Sequence, residues 1–299
     1  MYPNLLTFSM AKIVVHIYSY GFFIIIGFIL SLEIVKLRCI KLGSFKNEII
    51  DFSFWAFIGG IIGARLLFII VEYEYFFSKH KWDNFLSIKI PSIFAIWNGG
   101  LVYWGGFFGS LAACIIFAKI KRLPKLHFLD LVIVGVPIIQ AFGRLGCLFA
   151  GCCYGKILNS EHSIGLKFPS GSVAFDALMN MNHNSRIIEY MVEHKHTWPL
   201  FPSQLLESFV VLVIYFILLL VSNRKKFHGQ VFFTYIVLYS TARLFMEIFR
   251  GDTERGYLIN GILSTSQFIS LLTLLLGVVF LIFLEVRNRG IQNNIISKL

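Results

Sequence analysis

About seven apolar stretches, each roughly 20 residues long, constrain this chain more than any other feature of its sequence. A helix of that length crosses the hydrocarbon core of a bilayer. Because 57% of the 299 residues are hydrophobic and 14% are charged, the composition excludes an ordinary soluble domain. The sequence predicts an all-α integral membrane protein with about seven transmembrane helices. Their approximate bounds are 14–35, 49–71, 93–118, 128–149, 203–221, 231–249 and 262–284.

Clusters of basic residues between these spans indicate the orientation of the chain. Connections rich in Lys and Arg remain in the cytoplasm. The clusters after the first, third, fifth and last spans predict an N-terminus outside and a C-terminus inside. The same clusters carry the net charge of +11, so we expect no nucleic-acid partner. They contain Lys36, Arg38, Lys41 and Lys46; Lys119, Lys121, Arg122 and Lys125; Arg224, Lys225 and Lys226; and Arg287, Arg289 and Lys298.

The connection between the fourth and fifth spans is too long for a simple turn and contains turn signals. With the predicted orientation it faces the periplasm. We therefore expect one transmembrane domain over residues 1–299, with a small periplasmic cap at 154–202.

Three arginines, Arg65, Arg144 and Arg243, lie within apolar spans, and the orientation places all three near the outer leaflet. Cations at that depth need anionic partners. Glu247, one helical turn after Arg243, and Glu207 in the fifth span are suitable acids. Two acids for three bases leave room for a phosphate, which arginine binds in a planar, bidentate manner. A phospholipid headgroup is the natural phosphate at that depth.

Simpler interpretations suffice for several other polar residues. Arg250, near a span end, is typical of a side chain that reaches toward lipid headgroups. Asp51 and Asp130, at the cytoplasmic starts of two spans, favour helix capping. His16 is more typical of a satisfied interfacial histidine than of a catalytic base.

Two pairs of glycines, Gly99-Gly100 and Gly105-Gly106, lie in the first half of the predicted third span. Such pairs allow close helix packing. Beside Asn98 and aromatic residues, they also suit a broken helix that lines a polar cavity. The sequence leaves both interpretations open.

Three of the five cysteines, Cys147, Cys152 and Cys153, lie at the end of the fourth span. No second ligand pair with zinc-type spacing accompanies them. We therefore expect close-packed thiols and no metal site.

The motifs on these spans resemble those of the bacterial prolipoprotein diacylglyceryl transferase family, over nearly the whole chain. The first span carries Tyr20-Gly21, the second Gly63-Ala64-Arg65, the third Trp97-Asn98-Gly99-Gly100 with Gly105-Gly106, and the fourth Gly143-Arg144-Leu145-Gly146 with Gly151 and Gly155. The fifth opens with Pro202-Ser203-Gln204-Leu205 and Glu207, and the sixth carries Tyr239, Arg243, Glu247 and Arg250.

The resemblance implies transfer of diacylglyceryl from phosphatidylglycerol to the lipobox cysteine thiol of preprolipoproteins. The products are a thioether and glycerol phosphate, and the reaction belongs to lipoprotein biosynthesis. It implies no cofactor, contact with membrane lipids, and an active site toward the periplasmic leaflet of the bacterial inner membrane.

The resemblance also assigns roles to residues of this chain. It implies Tyr20, Arg243 and Glu247 as catalytic residues, and Arg144, Arg243, Gly99, Gly100 and Gly146 as the binding site for the phosphate of phosphatidylglycerol. Supporting positions are Arg65, Asn98, Gln204, Glu207 and Tyr239.

The chain departs from the family pattern at four positions. Trp104 stands where family members carry a histidine, Cys147 and Ala150 replace asparagines, and Cys152 replaces an acid. Two alternatives therefore stay open: transfer of a lipid-derived group to another acceptor, and a non-catalytic phospholipid-binding protein of the same fold. His16 is a candidate replacement base by its depth, and full activity of a His16→Gln variant would exclude that role.

Overall fold

The computed structural model describes residues 4–10, 13–45, 47–74, 76, 82–85, 88–94, 100, 102–181, 185–251, 257–259 and 263–296. The chain forms two compact units. One contains Met1–Ile34 and Asp130–Leu299, and the other contains Val35–Leu129.

Within the described ranges the fold is mainly helical, with short antiparallel hairpins. The helices are α1 (Ser19–Lys41), α2 (Glu48–Val71), α3 (Tyr103–Ile120), α4 (Lys125–Val132), α5 (Val136–Ala150), α6 (Val173–Met179), α7 (Ser185–His194), α8 (Ser203–Asn223), α9 (Gln230–Met246) and α10 (Thr265–Ile296). The hairpins pair β1 (Asn4–Met10) with β2 (Ile13–Tyr18), β3 (Trp82–Phe85) with β4 (Ile88–Pro91), and β5 (Tyr257–Ile259) with β6 (Leu263–Ser264).

Each predicted span overlaps a helix, and the chain is a multi-pass membrane protein. Five helical segments in the described part of the chain have the length and hydropathy of a membrane span, and Gly105–Ile120 is a shorter apolar helix. The fourth span is continuous through α4, a 3₁₀ turn and α5. The five spans are Glu48–Val71, Lys125–Ala150, Ser203–Asn223, Gln230–Phe249 and Thr265–Ile291.

The first predicted span starts too early in the chain. Residues Ile13–Tyr18 form β2, where His16 pairs with Thr7 of β1, and the helix begins at Ser19. The β-branched run before Ser19 favours a strand. The helix instead continues to Lys41, so its 23 residues still extend about 35 Å.

In the unit Val35–Leu129, α2 and α3 pack backbone against backbone. A Cβ atom on Gly105 would overlap the backbone of Gly63 and Ala64, so this glycine allows the close approach. Gly100 has a φ of 76° and lies outside the helix. The packing interpretation therefore applies to Gly105, while α3 does not extend back to Gly100.

In the other unit, α8 packs against α5 and α9, and α9 packs against α10. Hydroxyl groups connect these apolar helices. Ser208 donates to the carbonyl of Ala141 over 3.2 Å, and Ser240 and Thr273 lie 2.8 Å apart. Such bonds between helices are retained where lipid offers the hydroxyl no other partner.

Asp130 of α4 caps a helix that begins about 100 residues later. Its carboxylate is fully buried and accepts hydrogen bonds from the amides of Gly229 at 2.8 Å and Phe232 at 3.0 Å. Lys225 lies 3.3 Å away. The carboxylate thus satisfies unpaired donors at the start of α9 and complements its dipole. Capping by Asp130 was predicted, but the capped helix is α9.

The segment 154–202 has its own apolar cluster. The cluster packs around α6 and includes Phe168, Leu178, Met191 and Leu200. Short bridges such as Leu166 to Leu200 close the segment on itself. These contacts hold the two ends of the segment near the adjoining helices α5 and α8.

Because the carboxylate of Asp130 caps α9 in a buried position, we expect Asp130→Ala to lower stability. Its removal leaves the buried amides of Gly229 and Phe232 without their acceptor and takes away the carboxylate beside Lys225, and we expect a loss of about 3 kcal/mol in unfolding free energy. In detergent micelles this corresponds to a fall in Tm of about 5–10 °C. Asp51→Ala is the matched control, because Asp51 forms a largely exposed pair with Lys121 at 3.9 Å. We expect that variant to change stability by less than about 1 kcal/mol. Equal shifts for both variants would contradict the assignment.

Candidate active site

The site begins where α5 ends. Gly151 closes the helix in the left-handed conformation, with a φ of 72°, and the amide of Cys152 donates back to the carbonyl of Cys147 over 3.1 Å. Cys153 follows with a φ of 58°, which is unusual for a residue with a Cβ atom. The two reversals fold the chain back onto the last turn of α5.

Two buried side chains at the start of α8 hold this loop. Ser203 donates to the carbonyl of Cys153 over 3.0 Å, and Gln204 donates to the carbonyl of Cys152 over 2.9 Å. Both are essentially inaccessible to solvent. The side chain of Gln204 therefore supports the loop by binding a backbone carbonyl of the loop.

The other end of the loop is bound to the residues that follow α9. Gly155 forms an antiparallel bridge with Arg250. Gly251 donates to the carbonyl of Tyr154 over 3.2 Å, and the amide of Lys156 donates to Phe249 over 3.0 Å. The loop is thus fixed between the start of α8 and the end of α9.

Glu207 lies at the centre of the site, one turn into α8. Its Oε2 atom lies 2.5 Å from Nε of Arg144 in α5. Its Oε1 atom lies 3.3 Å from Nη1 of Arg243 in α9 and 3.1 Å from Nη1 of Arg250. One carboxylate therefore connects arginines from three parts of the chain.

A second acid, Glu247, completes the network. Its Oε2 atom lies 3.0 Å from Nη2 of Arg243, as the spacing of one helical turn predicts. Its Oε1 atom accepts a hydrogen bond of 2.7 Å from Ser264. Three guanidinium groups and two carboxylates therefore meet in a largely buried setting.

Arg144 is the most accessible of the three arginines. Its side chain is 22% exposed, compared with 9% for Arg243 and 3% for Arg250. Among the described residues Glu207 engages the Nε atom, and the two Nη groups of Arg144 provide a further pair of coplanar donors. This geometry suits an anion with two oxygens to offer.

Tyr20 and Gly146 lie against each other beside Arg144. A Cβ atom on Gly146 would lie 3.1 Å from Cα of Tyr20 and 3.2 Å from its ring. The glycine therefore lets the first turn of α1 approach α5.

Tyr239 stacks on Tyr235 with ring centroids 5.6 Å apart, and it interacts electrostatically with Arg144 and Arg243.

The thiols of Cys147, Cys152 and Cys153 converge at the same place, with sulfur atoms within 4.8 Å of one another. Hydrogen bonds from the other two thiols lower the pKa of Cys153, and the charges of Arg144 and Arg250 act in the same direction. Hydrogen bonding to Cys147 and Cys153 raises the pKa of Cys152.

Comparison with known proteins decides the family. The model of the family described as prolipoprotein diacylglyceryl transferase matches residues 8–283. The chain belongs to the prolipoprotein diacylglyceryl transferase family. The resemblance drawn from the motifs is thereby confirmed.

Several relatives are named phosphatidylglycerol–prolipoprotein diacylglyceryl transferases. The Clostridium tetani protein is 33% identical over 262 residues, which cover 88% of this chain and 91% of the relative. The Clostridium perfringens protein, named transferase 2, is 32% identical over 263 residues, with coverages of 88% and 89%. The Oceanobacillus iheyensis protein is 28% identical over 271 residues, with coverages of 89% and 84%.

In this member of the diacylglyceryl transferase family, the interpretation of Arg250 as a headgroup-reaching side chain is wrong. Arg250 is buried and binds Glu207. Helical spacing could not have found this contact, because the chain is extended at Arg250 and the residue is held by a bridge to Gly155. Ser203 and Ser264 also gained no role from the sequence, because their partners lie far along the chain.

Arg65 belongs to the unit Val35–Leu129 and is held by backbone carbonyls there. Its guanidinium group donates to Ile93 at 2.9 Å, Gly100 at 3.2 Å and Ser92 at 2.6 Å. The third arginine that joins Arg144 and Arg243 is therefore Arg250. Arg65 instead orders the segment that precedes α3.

Several predicted positions lie outside the described residues. Asn98 and Gly99 fall in such a stretch, and so do the side chains of His16 and Trp104, whose backbones belong to β2 and α3. Their predicted roles stay predictions.

The buried network predicts a severe effect of Glu207→Gln on this family member. The variant leaves three guanidinium groups around a neutral amide, which we expect to cost about 3–5 kcal/mol in unfolding free energy. Glu161→Gln is the control, because Glu161 pairs with the largely exposed Arg186 at 3.1 Å. We expect that change to cost less than about 1 kcal/mol. Thermal unfolding in detergent micelles measures both, and a stable Glu207→Gln protein would show that the network does not hold the fold.

Proposed function

We propose that this chain transfers the diacylglyceryl group of phosphatidylglycerol to the lipobox cysteine of preprolipoproteins. Family membership and the names of the relatives support this activity. The observation that carries it is the network around Glu207, which holds the planar guanidinium group of the partly exposed Arg144. A phosphodiester headgroup offers the oxygens that a guanidinium group binds.

Arg144 holds the phosphate in this proposal. Its Nη groups bind two phosphate oxygens while Glu207 fixes its Nε atom, so the fork is oriented before the lipid arrives. Gly146 leaves space for Tyr20 close to the bound headgroup. The predicted contributions of Gly99 and Gly100 to phosphate binding are part of the same proposal.

The transfer step moves negative charge onto the phosphate. The acceptor sulfur, as a thiolate, attacks the glycerol carbon and forms the C–S bond. The C–O bond to phosphate breaks, and its electron pair stays on the phosphate oxygen, which gives glycerol phosphate with a second negative charge. Arg144 and Arg243 stabilise this developing charge, and Glu247 and Glu207 hold Arg243 in position.

The location of the site follows from the predicted orientation. We place the protein in the bacterial inner membrane, with the end of α5 and the start of α8 toward the periplasmic leaflet. The segment 154–202 connects these two ends and forms a periplasmic cap in this proposal.

Substitution of Arg144 tests the function. With phosphatidylglycerol and a lipobox peptide as substrates, we expect Arg144→Ala to lower kcat/KM by about 10²–10³-fold. Arg144→Lys keeps the charge but loses the planar pair of donors, so we expect a loss of about tenfold or more. Arg289→Ala is the control, because Arg289 forms an exposed pair with Glu285 in α10.

The products of the wild-type reaction separate the alternatives. A thioether-linked peptide and free glycerol phosphate support the proposal. A lipid-derived product on a different acceptor would indicate a related transferase. Binding of phosphatidylglycerol that Arg144→Ala abolishes, with no product from the wild type, would indicate a non-catalytic lipid-binding protein.

Reporter fusions test the orientation. Alkaline phosphatase is active outside the cytoplasm, so we expect activity when it follows residue 180 and none when it follows residue 226. β-Galactosidase at the same positions should give the reverse pattern. Activity of alkaline phosphatase after residue 226 would overturn the proposed orientation.

A further inference from the structure

The convergence of three thiols beside the arginine network is not used by the proposed transfer step. The sulfur atoms of Cys147, Cys152 and Cys153 lie within 4.8 Å of one another. In a tetrahedral zinc site the metal–sulfur bonds are about 2.3 Å, which places the sulfurs about 3.8 Å apart. Small rotations of the three side chains therefore suffice to close them on one ion.

The backbone around the trio is held in an uncommon conformation. Cys153 has a φ of 58°, a region that is unfavourable for residues other than glycine, and such residues persist only where neighbours enforce them. Ser203 and Gln204 bind the carbonyls of Cys153 and Cys152. Hydrogen bonds that orient the residues of a metal site are a regular feature of such sites.

We propose that Cys147, Cys152 and Cys153 bind one Zn²⁺ ion, whose fourth position takes the thiol of the acceptor cysteine. Zinc with three protein ligands keeps an open position, as in catalytic sites. Three thiolates and Zn²⁺ form an anionic centre, which the charges of Arg144 and Arg250 favour. Spacing alone did not predict this site, because the left-handed turns at Gly151 and Cys153 create it.

The transfer step needs a group that removes the proton of the acceptor thiol, and in the described part of the site the metal supplies it. Both acids there, Glu207 and Glu247, are bound to arginines. A thiol that coordinates Zn²⁺ loses its proton. The acceptor thiol displaces the water bound to zinc and releases its proton to solvent, its sulfur then forms the C–S bond, and the C–O electron pair leaves with glycerol phosphate. The neutral thioether is a weak ligand, and water replaces it. This role rests on the proposed function.

Cobalt binding tests the site without any activity measurement. The full-length protein, reduced and stripped of metal in detergent micelles, is titrated with Co²⁺ as a probe for Zn²⁺. We expect one ion per chain, with the charge-transfer and visible bands of tetrahedral cobalt bound to thiolates, and displacement by Zn²⁺. Reduced wild-type protein that shows none of these bands overturns the proposal.

Variants show which sulfurs bind. We expect Cys152→Ser and Cys153→Ser to weaken cobalt binding by more than about 100-fold, and Gln204→Ala by about 10–100-fold. Cys114→Ser is the control, since Cys114 is a buried thiol of α3. The affinity of this variant for Co²⁺ should equal that of the wild type. Thermal unfolding confirms that the serine variants are folded, and unchanged affinity in them overturns the assignment.

The acceptor position has its own test. A lipobox peptide should shift the visible cobalt bands of the wild-type protein, whereas the same peptide with serine in place of its cysteine should not. An identical spectrum with both peptides overturns the acceptor role.

Activity then separates the two proposals. We expect metal removal to lower transfer at least tenfold and Zn²⁺ to restore it. Full transfer by metal-free protein overturns the zinc role and leaves the proposed function standing. In a further outcome, the cobalt bands of one sample respond to the peptide while a zinc-loaded sample gives no thioether product. That pair of results contradicts the proposed function and leaves the metal site standing.

Discussion

The structure of the site depends on the burial of one carboxylate among three guanidinium groups. Glu207 connects α5, α9 and the residues after α9 through Arg144, Arg243 and Arg250. Charges in an apolar setting are stable only when they are paired with good geometry. The helices that carry these residues therefore have little freedom to shift. The same pairing fixes the guanidinium plane of Arg144, so the proposed binding of an anion depends on the contacts that stabilise the bundle.

Local sequence patterns predicted the parts of this site that depend on one element. The apolar stretches located the helices, and the i,i+4 spacing predicted the pair of Arg243 and Glu247. Arg250 escaped prediction because α9 ends in a 3₁₀ turn and the chain is extended at Arg250 itself. Burial there depends on the bridge to Gly155, almost 100 residues earlier, and helical periodicity carries no information about that contact.

The cysteines illustrate the same limit at shorter range. Their crowding at the end of the fourth span is visible in the sequence, but their convergence depends on backbone conformations at Gly151 and Cys153. Those conformations depend in turn on Ser203 and Gln204, which reach the loop from α8. Hydrogen bonds between distant segments thus decided whether three thiols are neighbours. Spacing rules drawn from zinc sites within one short loop could not predict this arrangement.

The cap that Asp130 places on α9 has a consequence for the assembly of the protein during synthesis. Asp130 enters the membrane region about 100 residues before the amides of Gly229 and Phe232 exist. A carboxylate without partners is too costly to bury, so it must remain hydrated at the membrane surface until α9 is made. The fourth span therefore cannot reach its final depth when it is first inserted. The fourth span reaches its final depth only after α9, the sixth predicted span, has been synthesised. Final packing of the helices therefore follows the synthesis of α9.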